Sequence, residues 1–458
     1  MSSFTTVNPA TGDVVKTFEH LSWEKSKKAI DDAHNDFLKW RKYSFEERGD
    51  VLRQLAVALR AHKDEIAKTM HLEMGKLLEE GKAEVEKCAT TCDYFAKEAK
   101  NMLANQAASS PYARAEVTFQ PQGVIFSIMP WNFPLWQVIR FAAPALMAGN
   151  VIVLKHADLT AGTSEVIGKI FNDLTPEIKL LRNCQVDHEV AEKIIADPRV
   201  RGVTFTGSSS GGRAVATTAA KNLKKIVLEL GGSDAYLILE DADLDLAAKA
   251  CAKTRLQNCG QSCVAGKRFI VVQKVAENFI KKMTEEMKKT EIAPLASKKF
   301  QATIISQVEK LKGWGGKVVL GGSAPQGAGA FYPPTAVVFE KNNPEIHKEE
   351  VFGPVASIIV VKDEKEAVEV ANSSPYGLGG GLFTKDVSRG IALAEKELDA
   401  GFVVVNDFVK SDPRIPFGGV KESGYGRELG HFGIMEFVNI KTVGIAGENP
   451  TAAAGQGE

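Results

Sequence analysis

Hydrophobic positions along this chain change their rhythm twice. Residues 1–20 are polar and rich in turn formers, with Asn8-Pro9-Ala10-Thr11-Gly12 as a strong turn. Helical spacing follows. Ser44 and Glu47 make a capping box, and Leu52, Leu55, Ala56 and Leu59 then fall on one helical face. The pattern runs to about residue 104, with an interruption near Gly75. From residue 111 the character shifts, and the partial alternation of residues 114–120 predicts a strand with one wet face.

Short apolar runs come next: Val124–Met129, Val151–Leu154, Val203–Phe205 and Ile226–Leu228. Helices are predicted between them near 135–148, 160–174, 187–196 and 210–222. Such alternation specifies a parallel sheet covered on both faces, an α/β fold. A second series begins after Gly231-Gly232, with runs at Phe269–Val272, Val318–Leu320, Ala336–Phe339, Val355–Val361 and Phe402–Val405. The chain thus reads as two α/β units joined near residue 230. Glu436–Val443 alternates like an edge strand in want of a partner. The small, polar tail 448–458 reads as disordered.

Composition narrows the classes. A chain of 458 residues is too long for one core, and 44% apolar with 25% charged residues is an ordinary globular balance. Lys plus Arg and Asp plus Glu both number 57, which argues against a polyanion binder, so no nucleic acid partner is expected. No apolar stretch is long enough to span a bilayer and no signal sequence opens the chain, so no membrane partner and a cytoplasmic setting are the expectation. Six cysteines in this length imply no disulfide framework.

Four segments carry candidate chemistry. In Asn258-Cys259-Gly260-Gln261-Ser262-Cys263, a cysteine among glycine and polar residues just before a strand suits a nucleophile on a tight loop, although an isolated cysteine is more often a buried small residue. Glu229 closes an apolar strand before Leu230-Gly231-Gly232. A carboxylate there needs a role or a partner, and either a general base or a structural ion pair fits. Pro130-Trp131-Asn132-Phe133-Pro134 is a stiff turn that presents an uncharged amide donor, suited to an oxyanion. Phe205-Thr206-Gly207-Ser208, with Gly211-Gly212, places backbone amides at a helix start, a weak phosphate signal alone.

Taken in order with Asn8–Gly12, Glu350-Val351-Phe352-Gly353-Pro354 and Pro416-Phe417-Gly418-Gly419-Val420-Lys421, these segments resemble the aldehyde dehydrogenase superfamily over nearly the whole chain. The resemblance implies two Rossmann-like α/β domains plus a small β oligomerisation element. The cofactor domain would use 1–102 and 122–229, the catalytic domain 230–428, and the oligomerisation element 103–121 with 429–447, giving a homodimer or homotetramer. It implies that Cys263 is the nucleophile, Glu229 the base that activates water, and Asn132 the oxyanion donor beside the Cys263 amide. Lys155, Asp158, Gly207, Ser208, Gly212, Glu350, Phe352 and Trp131 would meet the dinucleotide, with Gly207 and Gly212 giving backbone access. No metal is implied. Where the family often has Lys-Pro-Ser-Glu, this chain has Lys155-His156-Ala157-Asp158. A carboxylate there accepts from the ribose 2′-hydroxyl, which favours NAD, while its shorter reach leaves room for NADP. His156 is expected on the ribose side or in solvent, not as a catalyst.

Several local words are similar to bacterial succinate-semialdehyde dehydrogenases, so the small aldehyde expected is succinate semialdehyde. Arg140 would hold its carboxylate, unless it serves in a salt bridge. A second family arginine is replaced here by Gln257, and Arg414 or Lys410 is expected to supply the missing charge. Cys259, one helical turn before Cys263, is expected to be a packing residue or else a redox partner. Three alternatives accompany this reading: another small aldehyde, a non-catalytic relative, and an enzyme that acylates coenzyme A. Cys263, Glu229 and Asn132 together argue against the second, and Glu229 against the third.

Overall fold

The computed structural model describes residues 2–447, and the tail expected at 448–458 lies outside them. The helical stretch that follows the opening residues divides into four helices: Trp23–Trp40, Phe45–Ala61, Lys63–Met74 and Leu78–Met102. The capping box is formed, with the Ser44 hydroxyl accepting from the Glu47 amide at 3.2 Å and Glu47 accepting from the Ser44 amide at 2.7 Å. Gly75 ends the third helix at a φ of 78°, the left-handed conformation that glycine adopts without a Cβ penalty.

The apolar runs assemble into two sheets. In the first, six strands lie in the order Gly424–Tyr425, Lys225–Glu229, Val200–Thr206, Val124–Met129, Val151–His156 and Leu181–Asn183. All neighbours are parallel except the Gly424–Tyr425 pairing. That short strand belongs to a stretch expected in the second unit, so the chain returns to the first sheet before residue 428. From Val124–Met129 the chain adds strands on one side, then crosses over to Val200–Thr206 on the other. The order of the strands therefore reverses between these two, and a crevice opens at their carboxyl ends. Helix Trp136–Met147 is buried on every face, as an apolar helix inserted between layers must be. Truncating fully buried Ile139 to alanine there should cost about 2–5 kcal/mol.

The second sheet orders Lys317–Leu320, Thr335–Phe339, Val355–Val361, Arg268–Val272, Ala235–Ile238, Gly379–Phe383 and Phe402–Val405, all parallel except the first. A third, antiparallel sheet pairs Val438–Ile445 with Arg114–Pro121, from Val438 opposite Pro121 to Ile445 opposite Arg114. Its strand Val438–Ile445 leaves Ile440, Val443 and Ile445 exposed. The opening residues, read as turns, also contain a hairpin of Ser3–Val7 and Val14–Glu19. Among the described residues no helix is long and apolar enough to cross a membrane.

Candidate active site

Helix Leu244–Leu256 gives way to three successive left-handed residues: Asn258 (φ 54°), Cys259 (φ 55°) and Gly260 (φ 71°). This conformation costs a non-glycine residue about 1–2 kcal/mol, and side chains hold the loop in it. Arg255 donates to the carbonyls of Gly266 (2.9 Å) and Gly260 (2.6 Å). Buried Lys267 donates to the carbonyls of Ser262 (2.9 Å) and Cys263 (2.5 Å). A Cβ at Gly260 would stand 2.3 Å from the Gly353 carbonyl oxygen, so only glycine fits. The left-handed turn removes the helical spacing expected between the two cysteines. Cys259 packs into the core of the second sheet with Leu295 and Ile304, whereas Cys263 packs against the first core.

The loop after Val124–Met129 is clamped from several directions. Buried Lys76 pairs with Glu84, donates to the Asn132 carbonyl at 3.0 Å and lies 4.0 Å from the Phe133 ring centre. Asn258 donates to the same carbonyl at 2.8 Å. Glu84 in turn accepts the amides of Leu135 (3.0 Å) and Trp136 (2.9 Å), two donors at a helix start that has no side-chain cap of its own. The Asn132 side chain spends one N–H on the Gln261 carbonyl at 3.1 Å and retains the other. Among the described residues the Cys263 backbone N–H has no acceptor.

His156 corrects the expectation of a ribose-side or solvent residue. It is fully buried, with Nε2 donating to the Pro134 carbonyl at 2.9 Å. Nδ1 therefore accepts from the Thr160 hydroxyl at 3.0 Å. Burial lowers its pKa to about 4, so the ring stays neutral and ties the loop to strand Val151–His156.

Two cavities of similar size meet at Cys263 and Gln137, which line both. The second lies over the crevice between the reversed strands. Trp131, Gly207, Ser208, Glu350 and Phe352 line it, as does Gly231. Trp131 packs on Phe300 (4.6 Å between centroids) and edge-on to Phe352 (5.8 Å). Ser208 caps helix Ser209–Lys221. Glu350 accepts from the Gly232 amide at 2.9 Å, and Lys267 stands 3.6 Å away. An apolar-walled crevice with a helix N-terminus and a carboxylate fits a dinucleotide. Gly212 departs from its expected place: it lies off the cavity, where a Cβ would meet Leu230 at 2.5 Å, so it serves close packing of helix on strand. Lys155 and Asp158 also lie off the cavity lining. Asp158 is held by Gln185 (2.5 Å) and His20 (3.2 Å), and burial lowers the pKa of Lys155.

Glu229 ends its strand beside this crevice but lines neither cavity. Its carboxylate has no hydrogen-bond partner among the described residues and lies close to Gly418. Burial, reinforced by Glu428, pushes its carboxyl well above the usual range against the pull of Arg140 and Arg427. The Cys263 thiol is pushed up to about 11 by burial, although Arg140 and Lys267 oppose the shift.

The candidates for substrate contacts separate. Arg140 lines the first cavity, but Glu428 pairs with its guanidinium, which also lies 4.7 Å from the Phe417 ring centre. Gln257 lines the cavity too. Arg414 does not: it is exposed and gripped by Asp412 through two bonds of 2.7 and 2.6 Å, a local pair that keeps it in solvent. Lys410 lines the cavity but pairs with Asp407 at 2.7 Å. Lys87 and Gln137 line the site without having been singled out in the sequence, where they sit in ordinary helical pattern.

Comparison with known proteins follows the same outline. The model of the aldehyde dehydrogenase family matches residues 1–443. The chain is 41% identical to the NADP(+) succinate-semialdehyde dehydrogenase of Mycobacterium avium over 466 residues, 99% of this chain and 98% of that protein. It is 38% identical over 447 residues to the NAD(P)+ succinate semialdehyde dehydrogenase of Escherichia coli, 95% of this chain and 96% of that one. Among solved structures, succinic semialdehyde dehydrogenase from Streptococcus pyogenes in complex with NADP+ superposes with a TM-score of 0.94 at 37% identity, covering 97% of this chain and 100% of that one.

Proposed function

The chain belongs to the aldehyde dehydrogenase family, and from that premise we propose that it oxidises succinate semialdehyde to succinate through an acyl-enzyme on Cys263. It is an oxidoreductase acting on aldehydes. The observation that carries the reading is the meeting of two cavities at one sulfur, one suited to a dinucleotide and one left for the aldehyde.

An aldehyde does not release hydride readily until a nucleophile has added electron density to its carbon. The Cys263 thiolate adds first. The second N–H of Asn132 and the free N–H of Cys263 then hold the resulting alkoxide oxygen. Trp131, Ser208, Glu350 and Phe352 would hold a nicotinamide dinucleotide in the opposite cavity, which would supply the hydride acceptor. Loss of hydride from that carbon leaves a thioester on Cys263. Glu229, its carboxyl raised above the usual range by burial and so made more basic, turns from Gly418 and takes a proton from the water that attacks the thioester. Succinate leaves and the thiol is restored.

We place NADP first among cofactors and reverse the lean towards NAD. Named relatives use NADP(+), and Asp158 is already occupied by Gln185 and His20, which weakens its claim on a ribose 2′-hydroxyl. The exposed apolar residues of Val438–Ile445 support a homo-oligomer built on that edge. Six free thiols suit a cytoplasmic setting.

The test is the absorbance of reduced nicotinamide with succinate semialdehyde and with butanal, each with NADP and NAD, in the wild type and in Cys263→Ala. Turnover that survives loss of the sulfur rules the mechanism out. Equal rates on the two aldehydes rule out the substrate.

A further inference from the structure

Lys267 stands just before strand Arg268–Val272 and reaches back to the loop that carries Cys263. It is almost wholly buried, which is costly for an ammonium unless its charge is answered. Among the described residues Glu350 is the one carboxylate within ion-pair distance, at 3.6 Å. Two of the three N–H groups go to backbone instead: to the carbonyl of Ser262 at 2.9 Å and to that of Cys263 at 2.5 Å.

The Ser262 carbonyl and the Cys263 N–H belong to one planar trans peptide, so they point in opposite directions. Whatever holds the carbonyl therefore aims the N–H. Lys267 holds it together with the Ala265 amide, which donates to the same oxygen at 3.2 Å. The N–H has no acceptor among the described residues, and its residue lines both cavities. Were this peptide turned over, an alkoxide forming beside Cys263 would meet the Ser262 oxygen in place of a donor. The ammonium charge on the carbonyl also polarises the peptide, which strengthens its N–H as a donor. Arg255 provides a contrast. It holds the carbonyls of Gly260 and Gly266, but the N–H groups of those two peptides, on Gln261 and Lys267, are spent on the carbonyls of Asn258 and Asp234, each at 3.0 Å. Arg255 thus braces the loop without aiming a free donor.

We infer that Lys267 is a positioning residue for the oxyanion donor: its ammonium fixes the Ser262–Cys263 peptide so that the Cys263 N–H faces the alkoxide formed from the aldehyde. This rests on the reaction proposed above, though not on the choice of substrate, because the oxygen concerned is common to every aldehyde. Lys267 touches neither substrate nor sulfur in this role. It acts through one peptide plane, and its removal should weaken the stabilisation of the alkoxide more than the reactivity of the thiolate.

The experiment compares the wild type with Lys267→Met, folding checked by thermal melting, through two rates taken at one pH with NADP present. The first is single-turnover reduction of the nicotinamide by succinate semialdehyde and by butanal. The second is alkylation of Cys263 by iodoacetamide, followed by mass against Cys263→Ala as the blank. Both rates scale with the thiolate fraction, which cancels in their ratio, and only the aldehyde builds an alkoxide. In Lys267→Met the ratio of reduction to alkylation should fall about 10- to 100-fold, as expected for a donor loosened in place, and alike for both aldehydes. Should the single substitution fail to fold, Lys267→Met combined with Asp234→Asn also removes an opposing buried charge and is read in the same way. An unchanged ratio overturns the inference, since a lysine that only supports the fold or the thiolate would leave it so. A loss confined to one aldehyde also overturns it, by making Lys267 a substrate contact. A wild type that reduces no nicotinamide with either aldehyde sinks the proposed reaction, and this inference with it.

Discussion

The ammonium of Lys76 donates to the carbonyl of Asn132 at 3.0 Å while it pairs with Glu84, so one buried cation fixes the loop that carries Asn132 and neutralises the carboxylate that caps the following helix. Removing one partner of a buried pair strands the other. Lys76→Met should lower stability by about 3–5 kcal/mol in urea unfolding, and kcat should fall with it as Asn132 loses its clamp. In the double variant with Glu84→Gln, the loss should be smaller than the sum of the two singles. Strict additivity would disprove the coupling.

Glu229 enters the proposed reaction only after hydride has left. Glu229→Gln should therefore release about one equivalent of reduced nicotinamide per active site in a burst and then stall, with steady-state kcat down about 10²–10⁴-fold. Intact-protein mass should show the acyl group on Cys263. If the burst disappears together with turnover, Glu229 acts before thioester formation.

The Cys263 thiol, held at about 11 by burial, is mostly protonated at neutral pH before ligands bind. The thiolate fraction then grows tenfold per pH unit. Alkylation of Cys263 by iodoacetamide, without cofactor, should accelerate about tenfold per unit from pH 7 to 9 and still be rising at pH 10. A plateau below pH 8 would show that Arg140 and Lys267 outweigh burial.

His156 has a folded pKa of about 4 against an ordinary value near 6.5. The unfolded chain therefore binds this proton first as pH falls. The stabilisation is complete above about pH 6.5 and is lost progressively down to about pH 4, amounting to about 3 kcal/mol at most. His347, lowered to about 4 by burial and Arg268, contributes with the same sign. Urea unfolding at pH 4.5 and 7.5 should show the difference, and His156→Gln should shrink it while weakening the fold at pH 7.5. An undiminished pH dependence in that variant would move the effect elsewhere.

What the sequence discloses here follows from the range of the interactions involved. The runs Val124–Met129 and Val355–Val361 are apolar but for one serine each and are buried on both faces, so their strands announce themselves. Gly379–Phe383 does not, because its glycines are set by neighbours: a Cβ at Gly379 would meet Asp234 at 2.6 Å, and one at Gly381 would meet the Tyr236 ring at 2.8 Å. The segments holding Cys263 and Asn132 stand out as compact local words, and the fold brings both to one cavity wall. The partners that govern their chemistry are distant in the chain. Glu428 meets Arg140, and Asn258 meets Asn132, across separations at which no periodicity carries information. Asp412 captures Arg414 from two residues away, a local competition that a search for free charge overlooks.

Helix Leu78–Met102 carries Glu80, Glu84 and Lys87 at successive four- and three-residue steps, along one stripe. The first grips the loop that leads to Cys263 and the second the helix start after Asn132, while the third lines the chamber beyond. Two loops of the site and one wall of its chamber thus hang from a single helix. Any sliding of that helix would displace both loops and the chamber wall at once.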